Sequence, residues 1–244
     1  MLTKNAIKII TSLGSKKIRQ KYNLFVVEGV KNVKEVLKSP IKIQDLYTTN
    51  PNFESEGVAN IYHISEAELK KISFLTSPNE VLAVCRIPSF DASMSYEGLK
   101  IMLDTVNDPG NLGTIIRLAD WFGVSEIICS KETVDLYNPK VIMSTMGSFT
   151  RVKLCYTDLS TYLKDYPYPV LGTFMEGESI YAYDFPEDVM ILMGNEANGI
   201  SEGLMTDIDH KIGIPSFGQS TESLNVAMAT SIVLGEIFSQ KCRK

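Results

Sequence analysis

IGIPSFGQSTESLNVAMATSIVLGEIF, residues 212–238, reads as a strand end, a polar loop and a helix, in that order. The strand stops at Ile214-Pro215, because proline has no N–H to give to a ladder. A loop of Gly, Ser and Thr follows. From about Leu224 to Phe238 apolar residues run nearly all round a helical projection, which predicts a buried helix. Ser223 and Asn225 stand at its start. Either can cap free backbone N–H groups, and two polar side chains at the mouth of a buried helix can equally face a ligand.

The same strand-then-loop grammar recurs toward the N-terminus. VMILMGNEANGIS (189–201) is an apolar strand running into Gly194, Asn195-Glu196 and Gly199. The spacing of Gly194, Gly199 and Ser201 fits the phosphate-binding pattern G-x-x-x-x-G-K-[ST], except that Ile200 stands where the lysine should be. Without that cation, and with the Glu196 carboxylate close by, a cationic or zwitterionic ligand suits the turn better than a phosphate. DTVNDPGNLGTIIRLADWFGV (104–124) is the third such corner. A strand ends at Asp104-Thr105-Val106, a turn follows, and a helix begins near Asn111. Ile115, Ile116, Leu118, Ala119 and Phe122 give that helix a broad apolar face, which Arg117 interrupts. Such an arginine either snorkels past the core edge or offers its guanidinium to a ligand.

Short, continuously apolar strands recur through this half: KIMLDTV, SEIICS, VKLCYT, PVLGTFM, VMILMG and HKIGIP, several of them separated by helical stretches. That alternation predicts an α/β domain whose mostly parallel sheet is covered on both faces. Ligands of such sheets lie outside the carboxyl ends of the strands, where the three loops are. The N-terminal part reads as a smaller α/β domain, with strands at FVVEG (25–29), IQDLYTT and VLAVCRI (81–87). ISEAELKKIS between them predicts a helix with Ser65 as N-cap and Glu68 completing a capping box. PSFDASMSYEG lacks periodicity and marks the junction. The expected boundaries are a first domain over 1–92, a linker at 93–98 and a second domain over 99–244.

Composition narrows the function. The 244 residues are 44% hydrophobic and 22% charged, as in soluble globular proteins. No apolar run approaches the roughly 18 residues of a membrane span, and the N-terminus has no signal-peptide core, so a cytoplasmic protein is expected. Four cysteines form no CxxC pair, and His63 and His210 have no metal-ligand neighbours at useful spacing. Proton chemistry must therefore fall to other residues. The net charge of −5 argues mildly against nucleic acid, but Met1 to Tyr22 carries Lys4, Lys8, Lys16, Lys17, Arg19 and Lys21 with no acid. A basic face on an acidic protein can still track phosphates.

Taken together, the three corners spell N-x-G-x-x-x-R, G-N-E-x-x-G and I-P-x(7)-S-L-N in chain order. This combination resembles the three motifs of the SpoU/TrmH family of RNA 2′-O-ribose methyltransferases, in the SPOUT superfamily, over about residues 98 to 244. KKIRQKYNLFVVEG more loosely resembles the family's small RNA-binding domain, related to the L30e ribosomal-protein fold. Departures are small: SLNVAMAT stands where SLNVSVA is frequent, and Leu112 where Val is common.

The resemblance implies a C-terminal trefoil knot and a homodimer formed through the catalytic domain, with the last helix at the interface. It implies S-adenosyl-L-methionine as cofactor, held at Thr173, Gly194, Asn195, Gly199, Ile214, Pro215, Ser223, Leu224 and Asn225. It assigns catalysis to Arg117, Asn111, Glu196, Ser223 and Asn225, with Arg117 as base or as electrostatic activator. Lys16, Lys17, Arg19, Lys21 and Arg117 are the expected RNA contacts, and ribosomal RNA is favoured over transfer RNA. Two other readings stay open on sequence alone: a non-catalytic RNA-binding or ribosome-assembly protein on the same fold, and a nucleotide switch.

Overall fold

Backbone pairing builds two sheets, one in each half of the chain. The computed structural model describes residues 2–53, 55–89, 96–218 and 223–243. Residues 93–95 of the expected linker lie outside the described residues. Packing divides the chain into two units: Met1–Ala92 with Asp135–Thr150, and Ser93–Val134 with Arg151–Lys244.

The first unit contains α1 (Lys4–Ser12), α2 (Lys16–Tyr22), β1 (Leu24–Glu28), α3 (Val30–Leu37), β2 (Ile43–Thr48), β3 (Ile61–His63), α4 (Glu66–Ile72) and β4 (Val81–Arg86). Its sheet runs β1-β4-β2-β3, with β4 antiparallel to both neighbours and β3 parallel to β2. Ser65 and Glu68 form the capping box that starts α4. Ile10, Leu13, Val26, Ile72 and Leu82 share one buried cluster.

Arg19 departs from its expected role. It is only 2% exposed. Its Nε and Nη2 donate to Asp135, and its Nη1 donates to the carbonyls of Leu13 and Gly14 at 2.8 and 2.9 Å. A guanidinium has only five N–H donors, and this one is spent on the turn between α1 and α2 and on an ion pair. Arg19 is a structural residue, not an RNA contact.

The second sheet is parallel throughout. Its chain order is β5 (Leu99–Leu103), α5 (Pro109–Trp121), β6 (Glu126–Ser130), α6 (Pro139–Thr145), β7 (Lys153–Thr157), α7 (Leu159–Lys164), β8 (Val170–Ser179), β9 (Val189–Met193), β10 (His210–Gly213) and α8 (Val226–Arg243). Its spatial order is β10-β8-β9-β5-β6-β7. β5, β6 and β9 are buried at every position, as a sheet covered on both faces requires. On one face Met102, Ile128, Met190 and Leu192 meet Leu159, Tyr162 and Leu163 of α7. Helices α5 and α8 pack on each other.

Two features differ from the sequence reading. The connection from β6 to β7, residues 135–150, groups with the first unit rather than with the rest of 99–244. There α6 packs on β1, and the Phe25 ring lies 4.6 Å from Tyr137 and 6.2 Å from Phe149. Second, α8 is buried on one side only. Val226, Thr230, Val233, Leu234 and Ile237 are covered, whereas Met228 is 58% exposed. All-round apolar character overstated its burial, because this chain covers only one face of it.

Candidate functional site

The carboxyl ends of β8, β9 and β10 open onto a cavity of about 1080 Å³. Thr173 from β8, Gly194, Asn195, Glu196 and Gly199 after β9, Ile214 and Pro215 after β10, and Ser223 and Leu224 before α8 all line it. Every residue expected to hold the cofactor is on that wall except Asn225.

Local chemistry explains each corner. Residues 194–201 turn back tightly: Asn195 and Gly199 exchange two backbone hydrogen bonds of 2.9 Å. A Cβ on Gly194 would lie 2.4 Å from the Gly199 carbonyl carbon, so only glycine permits this approach. The Asn195 Oδ1 accepts from the amides of Ala197 and Asn198 at 2.9 and 3.1 Å, which fixes the turn from within. A short 3-10 turn, Glu202–Asp207, follows instead of the helix that a phosphate cradle places after its glycines. On the β10 side a Cβ on Gly213 would lie 2.8 Å from the Phe174 carbonyl oxygen.

Helix α5 starts at Pro109 with Asp108 as N-cap, its side chain accepting from the Asn111 amide at 2.9 Å. That frees the Asn111 side chain to act as a hub. Its Nδ2 donates to Glu196 Oε1 at 2.6 Å, and its Oδ1 accepts from Asn225 Nδ2 at 2.9 Å. Asn225 is itself the cap of α8, its Oδ1 accepting from the amides of Ala227 and Met228. Ser223 makes no such cap and faces the cavity. One side chain from each of the three corners is thus tied to the others.

Arg117 is placed differently. It lies six residues after Asn111, about 9 Å along the helix axis and some 120° away around it, beside Thr114 and Trp121 on an exposed face of α5. It does not line the cavity and has no hydrogen-bond or ionic partner among the described residues. Of the expected RNA contacts in the first unit, Lys16, Lys17 and Lys21 are exposed. The buried thiols are poor nucleophile candidates, since burial pushes Cys85 and Cys129 well above the usual range.

A family model described as the SpoU rRNA Methylase family matches residues 98–235. The chain belongs to this family. A second model, described as an MRM3-like substrate binding domain, matches residues 4–83. The SpoU match spans all three corners that the Asn111 hub joins. Among curated relatives, the 23S rRNA (guanosine(2553)-2′-O)-methyltransferase RlmP of Bacillus subtilis is 32% identical over 237 residues, 93% of this chain and 94% of the relative. The AdoMet-bound rRNA methyltransferase structure from Sinorhizobium meliloti superposes with a TM-score of 0.87 at 30% identity, covering 98% and 96% of the two chains. The SpoU methyltransferase AviRb from Streptomyces viridochromogenes shares the fold, at a TM-score of 0.86 and 24% identity over 98% and 99%. The α/β fold with its parallel sheet is therefore that of the SpoU methylases.

Sequence reasoning named Asp104 and Thr105 only as a strand end and Ser201 only in a pattern comparison, and gave none of them a part in this corner. Asp104, Thr105 and Ser201 join the corner through bonds between loops, and no spacing rule announces those. Asp108 was findable, since an acid before a proline at the first helical position is a standard N-cap signal.

Proposed function

We propose that this protein transfers a methyl group from S-adenosyl-L-methionine to a ribose 2′-hydroxyl of ribosomal RNA. The observation that carries the reading is the Asn111 hub, which ties three separate corners together beside one cavity. The cavity suits the cofactor chemically. Its wall is largely backbone and apolar side chain, Glu176 and Glu196 are its carboxylates, and Lys211 is its one cationic residue among the described residues. Such a wall favours a sulfonium with an amino-acid tail over an oligophosphate. Its volume of about 1080 Å³ is just above the roughly 300–1,000 Å³ of ligand pockets.

When bound, S-adenosyl-L-methionine would supply an activated methyl on its sulfonium: the ribose 2′-oxygen would gain the methyl as the S–CH3 bond breaks, the cofactor would leave as a neutral thioether, and the hydroxyl proton would pass to water. Alignment is then what the protein most needs to provide, and alignment can contribute on the order of 7–11 kcal/mol at its extreme. The backbone around Gly194, Ile214 and Leu224 would hold the adenosyl portion. Asn111, Glu196, Ser223 and Asn225 position the ribose and its phosphate. Arg117 binds that phosphate and stabilises the emerging alkoxide; with a pKa above about 12 it is a poor base. Its guanidinium is exposed and unpartnered among the described residues, which leaves it free to meet an anion from outside. The required 2′-hydroxyl selects RNA over DNA.

The finer assignments belong to the same reading. Lys16, Lys17 and Lys21 grip the RNA backbone. The chain works as a homodimer in the cytoplasm, with its C-terminal segment following the knotted path of the family. The dimer face is supported by apolar exposure on two neighbouring helices: Trp121 is 84% exposed and Met228 58%. No helix among the described residues is long and apolar enough to cross a membrane. Radiolabelled methyl transfer to ribosomal RNA, with ribose methylation mapped by nucleotide, tests the reaction. Calorimetry with S-adenosylmethionine against ATP tests the cavity, and light scattering tests the dimer. Binding of ATP without S-adenosylmethionine would overturn the cofactor assignment.

A further inference from the structure

We infer that Asp104 and Thr105, to which the family motifs give no role, are positioning residues that clamp the 194–201 turn in its cofactor-binding shape. The inference rests on the methyltransferase reading. Asp104 ends β5 and is 3% exposed. Burying a carboxylate is costly unless its oxygens are satisfied. Here no cation pairs with it among the described residues; one oxygen accepts from the Ser201 amide at 2.7 Å and the other from the Thr105 hydroxyl at 2.9 Å. Charge-assisted bonds of this kind are short and strong.

Thr105 sits at φ +58°, a left-handed conformation that β-branched residues rarely adopt. Strain of this sort persists only where the surroundings over-determine it, and here three bonds do so. The Thr105 amide donates to Ser130 Oγ at 3.0 Å, its hydroxyl donates to Asp104, and its carbonyl accepts from Asn195 Nδ2 at 2.7 Å. The turn is therefore gripped at both ends, at Asn195 by Thr105 and at Ser201 by Asp104. Glu196, Gly194 and Gly199 lie inside or beside that grip. The unusual backbone at Thr105 has a use: it aims one carbonyl at Asn195 while its hydroxyl reaches the carboxylate.

The test uses the full-length protein and three variants. Asp104→Asn replaces one acceptor with a donor facing the Ser201 amide or the Thr105 hydroxyl. Calorimetry should show S-adenosylmethionine affinity falling about 10-fold, the scale of one buried group left unsatisfied, while the KM for RNA stays unchanged. Amide exchange across 195–201 should quicken with or without cofactor. Thr105→Val keeps the branched shape but deletes the hydroxyl and should weaken cofactor binding in the same direction, whereas Thr105→Ser should restore it. If Asp104→Asn does not fold, the Thr105 pair decides. Affinity within twofold of wild type together with unchanged exchange overturns the clamp, as does a Thr105→Ser variant no better than Thr105→Val. If the wild type itself binds no S-adenosylmethionine, the methyltransferase reading fails, and the exchange data still judge the clamp.

Discussion

At the cavity corner Asn111, Glu196 and Asn225 hold one another through hydrogen bonds, whereas Lys17 and Lys21 on α2 stand exposed. The bonds that fix the corner come from the protein's own side chains, which limits the ordering that ligand binding must supply. The lysines offer charge without fixed geometry, which suits a sequence-independent phosphate backbone. Arg117 belongs in character with the lysines although its motif groups it with the corner. It is exposed and unpartnered among the described residues, as the proposed phosphate contact would require.

The sharpest way to break this contrast is Arg117→Ala. It should lower kcat by about 10²–10³, as loss of an electrostatic stabiliser does, while calorimetric affinity for S-adenosylmethionine stays within about threefold, since it removes no cavity wall. Near-normal turnover would take Arg117 out of the mechanism. Arg19→Ala comes next and acts on stability alone. It strands Asp135, whose side chain is 18% exposed, and two carbonyls. Removing one partner of a buried pair costs about 3–5 kcal/mol; partial exposure of Asp135 places this case toward about 2–3 kcal/mol. Urea denaturation should show an earlier midpoint, with no change in the salt slope of RNA binding for the folded protein. A shallower slope would return Arg19 to the RNA face.

Asn111→Ala should cost roughly 10-fold in kcat/KM, because Glu196 and Asn225 lose their shared partner but keep their own turns. The mildest effect is expected from Lys17→Ala with Lys21→Ala. RNA affinity should fall severalfold, and the plot of log affinity against log salt should flatten by about 0.7–0.9 per lost contact. An unaltered slope would make α2 merely a solvated helix.

How much of this was legible in the sequence follows the same divide. Strands such as VMILM and VLAVC announce themselves, since burial on both faces leaves only apolar residues. The capping box at Ser65 was equally plain, being a local bond between residues three apart. Three kinds of feature were hidden. β3, Ile61–His63, is exposed at all of its positions, so it carries no burial pattern to detect. Arg19 looks like one more cation in a basic run, and its burial depends on the return of Asp135 from far along the chain together with two carbonyls of the α1–α2 turn. The Asp104–Thr105 clamp depends on a left-handed threonine, a conformation that residue type argues against. The motifs pointed to Asn111, Glu196 and Asn225, which meet, and to Arg117, which does not join them, while the supports behind the corner became visible only through long-range hydrogen bonds.

The excursion of residues 135–150 into the first unit has a practical consequence for anyone who would trim this enzyme. A fragment starting at residue 99 would strip Val141, Ile142 and Phe149 of the β1 surface and the Phe25 ring against which α6 and Phe149 rest. The methylase half would then emerge with a greasy flap and a tendency to clump. Swapping substrate-binding domains between such enzymes should succeed only when this flap travels with the domain that it was shaped to fit.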